Sequence, residues 1–344
     1  MTPLARLIAA RLRTAGAMRL DEYMQLCMLH PEHGYYATRD PFGAGGDFIT
    51  APEISQMFGE MIGLALAQAW LDQGSPAPFT LAEIGPGRGT LMADLLRAIR
   101  NVPGMVAAAE ITLIEASPHL RAVQREKLGP VRHLDQAADL PEQPLFLVAN
   151  EFFDALPIRQ FQRVEAGWAE RIIALDPEGA LTLGLAAPQP GEPAPLGELR
   201  EVCPAAAPIT AEIAGRIARQ GGAAIFLDYG NWRGRGDSFQ ALRRHQPEDP
   251  LAHPGEADLT AHVDFEPIAR AAETAGARAS RMQPQGDWLL SLGIAARAAR
   301  LEAAGDAGAR AALHRLTDAA EMGHLFKVMA LWAPDAPPPP GFQP

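Results

Sequence analysis

The sequence predicts an α/β protein with a doubly wound, mostly parallel sheet, a helical region before it and a β segment inserted into it. Two observations support this fold class. From Phe79 onward, apolar runs of strand length alternate with stretches of helical periodicity, as in parallel sheets whose strands are joined by helices. The runs at 145–149 and 223–227 are also uninterrupted, which is typical of strands buried on both faces.

The first 75 residues form a predicted helical region. Apolar residues recur at helical spacing over 3–30 and 53–73, and the glycine-rich stretch 43–52 between them is too irregular for a core element. The first twenty residues contain four arginines and no acid, which superficially resembles an organellar transit peptide. We interpret them instead as an amphipathic helix of the fold. Its apolar face would comprise Leu4, Leu7, Ile8 and Leu12.

The predicted sheet begins after this region. A glycine-containing turn at 85–89 follows the first strand, and Thr90 is placed to cap the next helix. Ser117 followed by Pro118 predicts another helix start. In order, the predicted elements are strand 79–84, helix 91–101, strand 111–114, helix 118–128, strand 131–134 and strand 145–149.

An inserted β segment is predicted over 158–207. Residues 158–185 alternate like antiparallel strands, with a hairpin turn at 176–179. The remaining predicted elements are helix 208–220, strand 223–227, helix 265–276, strand 278–284, helices within 287–318 and strand 324–332. The predicted organisation is therefore a helical region (1–75), a core (76–332) with insertion 158–207, and a proline-rich tail (333–344) that is disordered or extended.

Composition excludes several classes of protein. The net charge of −11 argues against nucleic-acid binding through bulk charge. Of the 30 basic residues only Lys127 and Lys327 are lysines, a bias that points to a GC-rich, bacterial genome. Cys27 and Cys203 are too few for a disulfide framework, and no apolar run reaches membrane-spanning length. We therefore expect a cytoplasmic protein with no membrane span.

The turn after the first strand is the most informative motif. Gly85, Gly87 and Gly89 allow close backbone approach to a ligand at a helix N-terminus. Glu83, just before the glycines, would repel a pyrophosphate but suits an ammonium group. Glu115, at the end of the next strand, is suited to accept hydrogen bonds from ribose hydroxyls. Together these residues favour S-adenosylmethionine (SAM) over NAD, although a tight turn without a ligand is an alternative.

A second polar segment, 150–157, follows the buried strand 145–149. Groups beyond the carboxyl ends of such strands line the ligand crevice. In a methyltransferase, Glu151 and Asp154 in this segment would face the methyl acceptor. The alternative is a helix cap with core phenylalanines. Asp47, Glu53 and Asp228 are reserve candidates for substrate contact.

No metal site is predicted. His30 and His33 lack further ligands at suitable spacing. Histidines and aspartates are more closely spaced further along the chain, at His253, Asp258, His262 and Asp264. Hydrogen bonding near the active-site rim explains this cluster better than a metal does.

Several segments together resemble the MidA-like family of SAM-dependent methyltransferases, which includes the mitochondrial complex I assembly arginine methyltransferase. The resemblance extends over about residues 5–332. It is carried by the segments 46–60, 83–90, 113–118, 149–157, 227–230, 254–265 and 322–328. His324 departs from the charged residue expected there.

The resemblance implies a class I, Rossmann-like methyltransferase fold and SAM as the cofactor. It places the cofactor against Glu83, Gly85, Gly87, Gly89 and Glu115, with Thr50 and Pro52 nearby. It further implies a protein arginine as methyl acceptor, on a complex I subunit in the mitochondrial members. A guanidinium acceptor would need carboxylates that grip two of its nitrogens, and we assign this clamp to Glu151 and Asp154. Two alternatives remain: a non-catalytic SAM-binding assembly factor and an NAD-dependent oxidoreductase. The sequence does not determine the oligomeric state.

Overall fold

A computed structural model describes residues 1–38 and 50–343. The elements up to residue 150 are α1 (Pro3–Ala15), β1 (Met18–Arg19), α2 (Leu20–Leu29), α3 (Tyr35–Thr38), α4 (Ala51–Ile54), α5 (Gln56–Asp72), β2 (Phe79–Ile84), α6 (Thr90–Ile99), α7 (Met105–Ala108), β3 (Ala109–Ile114), α8 (Pro118–Leu128), β4 (Arg132–Leu134), a 3-10 helix (Ala137–Asp139) and β5 (Leu145–Asn150). The later elements are β6 (Arg159–Val164), β7 (Gly167–Leu175), β8 (Leu181–Leu185), β9 (Leu199–Val202), α9 (Ala206–Gln220), β10 (Gly222–Asn231), β11 (Gln240–Arg243), β12 (Gln246–Glu248), β13 (Asp258–Thr260), β14 (Val263–Asp264), α10 (Phe265–Thr274), β15 (Arg278–Ala279), β16 (Gln283–Pro284), α11 (Gln285–Ser291), α12 (Ile294–Ala303), α13 (Ala309–Thr317), α14 (Met322–Leu325) and β17 (Phe326–Trp332).

The described residues form two compact units. The insertion unit comprises residues 1–38, 154–206 and 233–263, and the sheet unit comprises 50–153, 207–232 and 264–343. The structure thus divides the predicted helical region 1–75, because α1 and α2 belong to the insertion unit whereas α4 and α5 belong to the sheet unit. Helical periodicity shows that a face is buried but not what covers it, so the sequence could not place this boundary.

The insertion unit has its own core, to which α1 contributes. Leu4, Ile8 and Leu12 are buried, as predicted, whereas Leu7 is 48% exposed. Thr2 caps the helix by accepting a hydrogen bond from the Ala5 amide. Gly16, with a φ of 83°, ends it, so the predicted helix over 3–30 is two helices.

Antiparallel strands form the two sheets of the insertion unit. One has the order β1-β7-β6-β9, with β8 also paired to β7, which confirms the antiparallel strands predicted over 158–185. The other has the order β12-β11-β13. The sequence predicts no strands between 231 and 264, because strands of three or four residues are too short to display a periodicity.

The sheet unit contains a mixed, mostly parallel sheet, as predicted. Its strand order is β15-β17-β10-β5-β2-β3-β4, and the neighbours from β10 to β4 are parallel. β17 runs antiparallel to β10. The chain passes from β2 outward through β3 and β4, and then returns to the other side of β2 with β5. The strand order therefore reverses between β2 and β5, and ligands bind at the carboxyl ends of strands at such a reversal.

Helix α5 fixes the position of α6, the helix that follows the glycine turn. A Cβ added to Gly59 would lie 2.7 Å from Asp94 Cβ, and one added to Gly63 would lie 3.0 Å from the Leu95 carbonyl oxygen. These glycines let the two helix backbones approach closely. On the sheet itself, the Phe79 ring packs edge-on against Phe146 with their centroids 5.4 Å apart.

The proline-rich tail does not match its prediction of a disordered or extended chain. Phe342 is 6% exposed, and its ring centroid lies 5.3 Å from that of Trp288. The Trp288 indole donates a hydrogen bond to the Pro340 carbonyl at 3.1 Å, and Gln283 donates one to the Gly341 carbonyl at 2.8 Å. The prediction of disorder was based on the proline content alone. Composition does not reveal that Phe342 packs against Trp288 of α11.

Replacing Phe342 with Ala should lower the free energy of unfolding by about 3 kcal/mol, because it empties a buried aromatic site. Urea unfolding followed by circular dichroism measures this change. Leu325→Ala removes a side chain that is 50% exposed and should change the free energy of unfolding by less than about 0.5 kcal/mol. Equal stability of the Phe342→Ala variant and the parent protein would contradict the tail's packing role.

Candidate active site

The turn between β2 and α6 has a backbone that favours glycine. Gly85, Gly87 and Gly89 have φ values of 66°, 50° and 74°. A Cβ added to Gly85 would lie 3.0 Å from Phe152 Cδ2, so a side chain there would be both strained and crowded. Gly89 is the residue before α6, and Thr90 begins the helix instead of capping it. The predicted cap was wrong because the left-handed Gly89 occupies the capping position.

Glu83 contributes a buried carboxyl near the end of β2. The residue is 3% exposed, and within the described part of the chain its Oε2 has no hydrogen-bond partner. Burial raises the pKa of Glu83 to about 8; the nearby Glu115 raises it further, while a hydrogen bond from the Met92 amide opposes the shift. A cationic donor would stabilise the ionised form of this buried carboxyl, so Glu83 is suited to contact a positively charged ligand group.

Asn150 and Glu151 lie at the carboxyl end of β5, on the other side of the strand-order reversal. Asn150 is buried, and its Oδ1 accepts no hydrogen bond from any described residue. Its amide nitrogen donates to Glu151 Oε1 at 3.1 Å, and the Ala51 amide donates to the same oxygen at 3.2 Å. Glu151 has a φ of 49°, which is rare for a non-glycine residue and concentrates at functional sites.

Glu115 follows β3 and is nearly buried, and burial raises its pKa. Its Oε1 accepts a hydrogen bond from the Ser117 amide at 2.7 Å, and its Oε2 accepts one from Gln124 at 3.3 Å. A carboxylate has about four lone-pair positions, so these bonds orient Glu115 and still leave it able to accept from hydroxyl groups. Ser117 caps α8, as predicted, by accepting from the Leu120 amide.

The α4 segment brings further predicted site residues to the sheet unit. Thr50 is buried just before this short helix, and Pro52 lies in its first turn. Glu53 Oε1 accepts a hydrogen bond from the Thr90 hydroxyl at 2.6 Å, and Lys127 donates to that hydroxyl, also at 2.6 Å. Glu53 therefore anchors the start of α6.

The remaining predicted residues fall in different places. Asp228 is fully buried within β10, where it accepts hydrogen bonds from the Phe153 and Tyr229 amides. Its contacts hold the loop after β5. Asp154 is buried in the insertion unit, and its carbonyl accepts from the Ala261 amide at 3.0 Å. Asp47 lies outside the described residues.

Sequence reasoning missed Gln124, which is fully buried on α8 and bonded to both the glycine turn and Glu115. The only sequence signal for Gln124 was its position on the predicted helix 118–128. Glutamine on such a polar helix is usually a surface residue, so this signal did not predict burial.

Metal ligands do not cluster in the part of the chain that the structure describes: no group of three or more His, Cys, Asp or Glu side chains could hold an ion. In the insertion unit, His253 instead pairs with Glu248 at 3.0 Å. Among the same described residues, no helix combines the length and apolar character needed to cross a bilayer.

Comparison with known proteins identifies the class to which this fold and site belong. A family described as "Putative S-adenosyl-L-methionine-dependent methyltransferase" matches residues 61–283. The chain belongs to this methyltransferase family, and its cofactor is SAM.

The relatives extend the match over nearly the whole chain. The zebrafish (Danio rerio) protein arginine methyltransferase NDUFAF7, mitochondrial, is 34% identical over 94% of this chain and 85% of its own. Its Drosophila melanogaster homolog is 33% identical over 96% and 84% of the two chains. A crystal structure of a Burkholderia thailandensis protein bound to S-adenosyl-homocysteine has a TM-score of 0.85 and 31% identity. That match covers 98% of this chain and 93% of the other.

Glu83 predicts a specific pH dependence of stability. Its pKa is about 8 in the folded protein and near 4.5 when exposed, so the folded form binds the proton more tightly. The contribution is complete below about pH 4.5 and is lost as the pH rises through 8. The Glu83→Gln side chain cannot ionise. Between pH 5 and 9 the free energy of unfolding should therefore fall more in the parent than in this variant, and the difference should be on the order of 4 kcal/mol.

Urea unfolding at several pH values measures this difference. The control is Glu126→Gln, which alters an exposed carboxyl on α8 and should follow the parent curve. Parallel curves for Glu83→Gln and the parent would show that Glu83 ionises normally.

Proposed function

We propose that this methyltransferase has a Rossmann-like fold, binds SAM at the carboxyl ends of β2, β3 and β5, and methylates a protein arginine. One observation carries the cofactor site. Two buried acceptors, Glu83 Oε2 and Asn150 Oδ1, lie on opposite sides of the strand-order reversal without hydrogen-bond partners among the described residues. Buried acceptors of this kind are costly unless a ligand supplies the donors.

Each cofactor residue has a role that follows from its contacts. Glu83 receives the ammonium group, the turn Gly85–Gly89 leaves room for the cofactor backbone, and Glu115 accepts from the ribose hydroxyls. Thr50 and Pro52, at the start of α4, contribute to the same site. Glu83 beside the glycines offers a pyrophosphate no positive charge, whereas an ammonium group would stabilise its ionised form, which argues against the NAD-dependent alternative.

When bound, SAM supplies an electrophilic methyl group on its sulfonium sulfur. The protein must orient the acceptor nitrogen in line with that methyl group and exclude water. An arginine guanidinium is a weak nucleophile because its lone pairs are delocalised. A carboxylate that accepts from two of its N–H groups orients the third nitrogen and concentrates positive charge away from it.

Glu151 is the leading candidate for this contact. Hydrogen bonds from Ala51 and Asn150 orient its Oε1. Glu151 also has a positive φ, a backbone conformation that glycine adopts more easily, and such strained residues concentrate at functional sites. Asp154, three positions along the chain, is the proposed second carboxylate. Asp228 and Glu53 are assigned supporting roles because their described contacts hold the loop after β5 and the start of α6. Asp47 remains a candidate from the sequence.

The names of the relatives support an arginine as the methyl acceptor. Relatives that match more than nine-tenths of this chain are named protein arginine methyltransferase. The family resemblance points to a complex I subunit as the protein that carries the arginine. The acidic net charge agrees with a cationic acceptor.

Label transfer tests the proposed activity. The purified protein, methyl-labelled SAM and a bacterial lysate should yield a labelled protein band that releases methylarginine on acid hydrolysis. SAM binding by calorimetry without any labelled band would instead favour the non-catalytic assembly factor. Label recovered on another residue type would exclude the arginine assignment.

Substitution of the clamp tests its residues. Glu151→Gln keeps an oxygen that can accept from Ala51 and Asn150 but removes the charge, so the methylation rate should fall about 100-fold while the Kd for SAM changes less than about threefold. Asp154→Asn should behave in the same way. Glu273→Gln, an exposed change on α10, is the matched control and should retain the parent rate. Full activity of both clamp variants with intact SAM binding would refute the clamp.

A further inference from the structure

Gln124 connects three parts of the sheet unit through one buried side chain. It lies on α8 and is fully buried. Its amide nitrogen is 2.6 Å from the Gly87 carbonyl oxygen and 3.3 Å from Glu115 Oε2, and its amide oxygen is 2.9 Å from His133 Nε2. The proposed binding residues after β2 and β3 therefore share one donor group.

The partners determine how the amide of Gln124 is oriented. The Gly87 carbonyl and the Glu115 carboxylate accept hydrogen bonds, so the NH₂ group of Gln124 must face them. Its oxygen then faces His133, which must donate through an Nε2–H. His133 is thus a defined tautomer, assigned here from the hydrogen-bond pattern.

The surroundings of His133 agree with this neutral tautomer. Its Nδ1 is buried and has no hydrogen-bond partner among the described residues, so a second ring proton would be left unpaired. Burial lowers the pKa of His133, and Arg125 and Arg121 lower it further. The ring is therefore a fixed donor to Gln124.

Gly87 is the residue of the glycine turn that Gln124 restrains. Its φ of 50° belongs to a flexible residue whose carbonyl could rotate at low cost. The bond from Gln124 fixes that carbonyl, while the bond to Glu115 fixes the carboxylate on the neighbouring strand. A binding site that is already ordered loses less entropy when a ligand binds.

We propose that Gln124, held by His133, is a positioning residue that sets the glycine turn and Glu115 relative to each other for SAM binding. This inference rests on the cofactor site proposed above. Gln124 acts through Gly87 and Glu115. Its loss should therefore weaken SAM binding without changing the chemical step at saturating SAM.

Gln124→Met tests the proposal, since methionine has a similar length and no donor. The KM and Kd for SAM should rise about 10- to 100-fold, with kcat at saturating SAM within about twofold of the parent, as for other residues that orient a ligand-binding group. The matched control is Gln143→Met. Gln143 also donates two hydrogen bonds, to Thr80 at 2.8 Å and Glu110 at 3.2 Å, but at the opposite end of the strands. The control should leave the KM for SAM unchanged.

A pair of substitutions at His133 keeps the proposal testable if Gln124→Met does not fold. His133→Phe removes the donor and should weaken SAM binding several-fold. His133→Gln can place an N–H near the position of Nε2 and should restore most of the affinity. Equal affinities in these two variants, or parent-like SAM binding by a folded Gln124→Met protein, would overturn the role of Gln124.

Failure of the inference is distinguishable from failure of the cofactor site. If Glu115→Ala loses SAM affinity while Gln124→Met does not, the site stands and only the positioning role is lost. If Glu115→Ala binds SAM like the parent, the site itself is misplaced and the inference falls with it.

Discussion

The burial of the Glu83 carboxyl is the constraint on which the proposed cofactor site depends. A carboxyl near the end of a central parallel strand has no access to water, so its ionised form is destabilised unless a cation approaches it. The strand order reverses beside it, between β2 and β5, which leaves the carboxyl ends of these strands without a connection across them. The buried Glu83 carboxyl, whose ionised form is unfavourable, therefore lies where a bound cation can stabilise it.

Much of the surrounding structure holds the backbone near Glu83 in place. Gly59 and Gly63 let α5 approach α6 closely, and the Glu53–Thr90–Lys127 hydrogen bonds hold the beginning of α6. On the other side, Asp228 binds the amide of Phe153 and so orders the loop that carries Glu151. These contacts hold the proposed cofactor site in place before a ligand arrives, which lowers the entropic cost of binding.

Sequence patterns were most successful where one local signal sufficed. Uninterrupted apolar runs located β2, β5 and β10, and the Ser117-Pro118 pair located the start of α8. They failed where the outcome depended on a distant partner. Leu7 fits the apolar stripe of α1 but is exposed, and Phe342 lies in a proline-rich tail but is buried against Trp288. Threonine is a common helix-capping residue, yet Thr90 is the first residue of α6 and its hydroxyl donates a hydrogen bond to Glu53.

The sequence by itself determined the α/β class, the glycine turn, the acids beside it and the methyltransferase family, because each of these is encoded in short segments with a local physical meaning. Only the tertiary structure decided which strands are neighbours, how the N-terminal helices are divided between the two units and which polar atoms lack partners. It also revealed Gln124, whose role depends on contacts with Gly87, Glu115 and His133. These contacts join α8 to the ends of separate elements, and the helical or strand periodicity of one segment does not encode them.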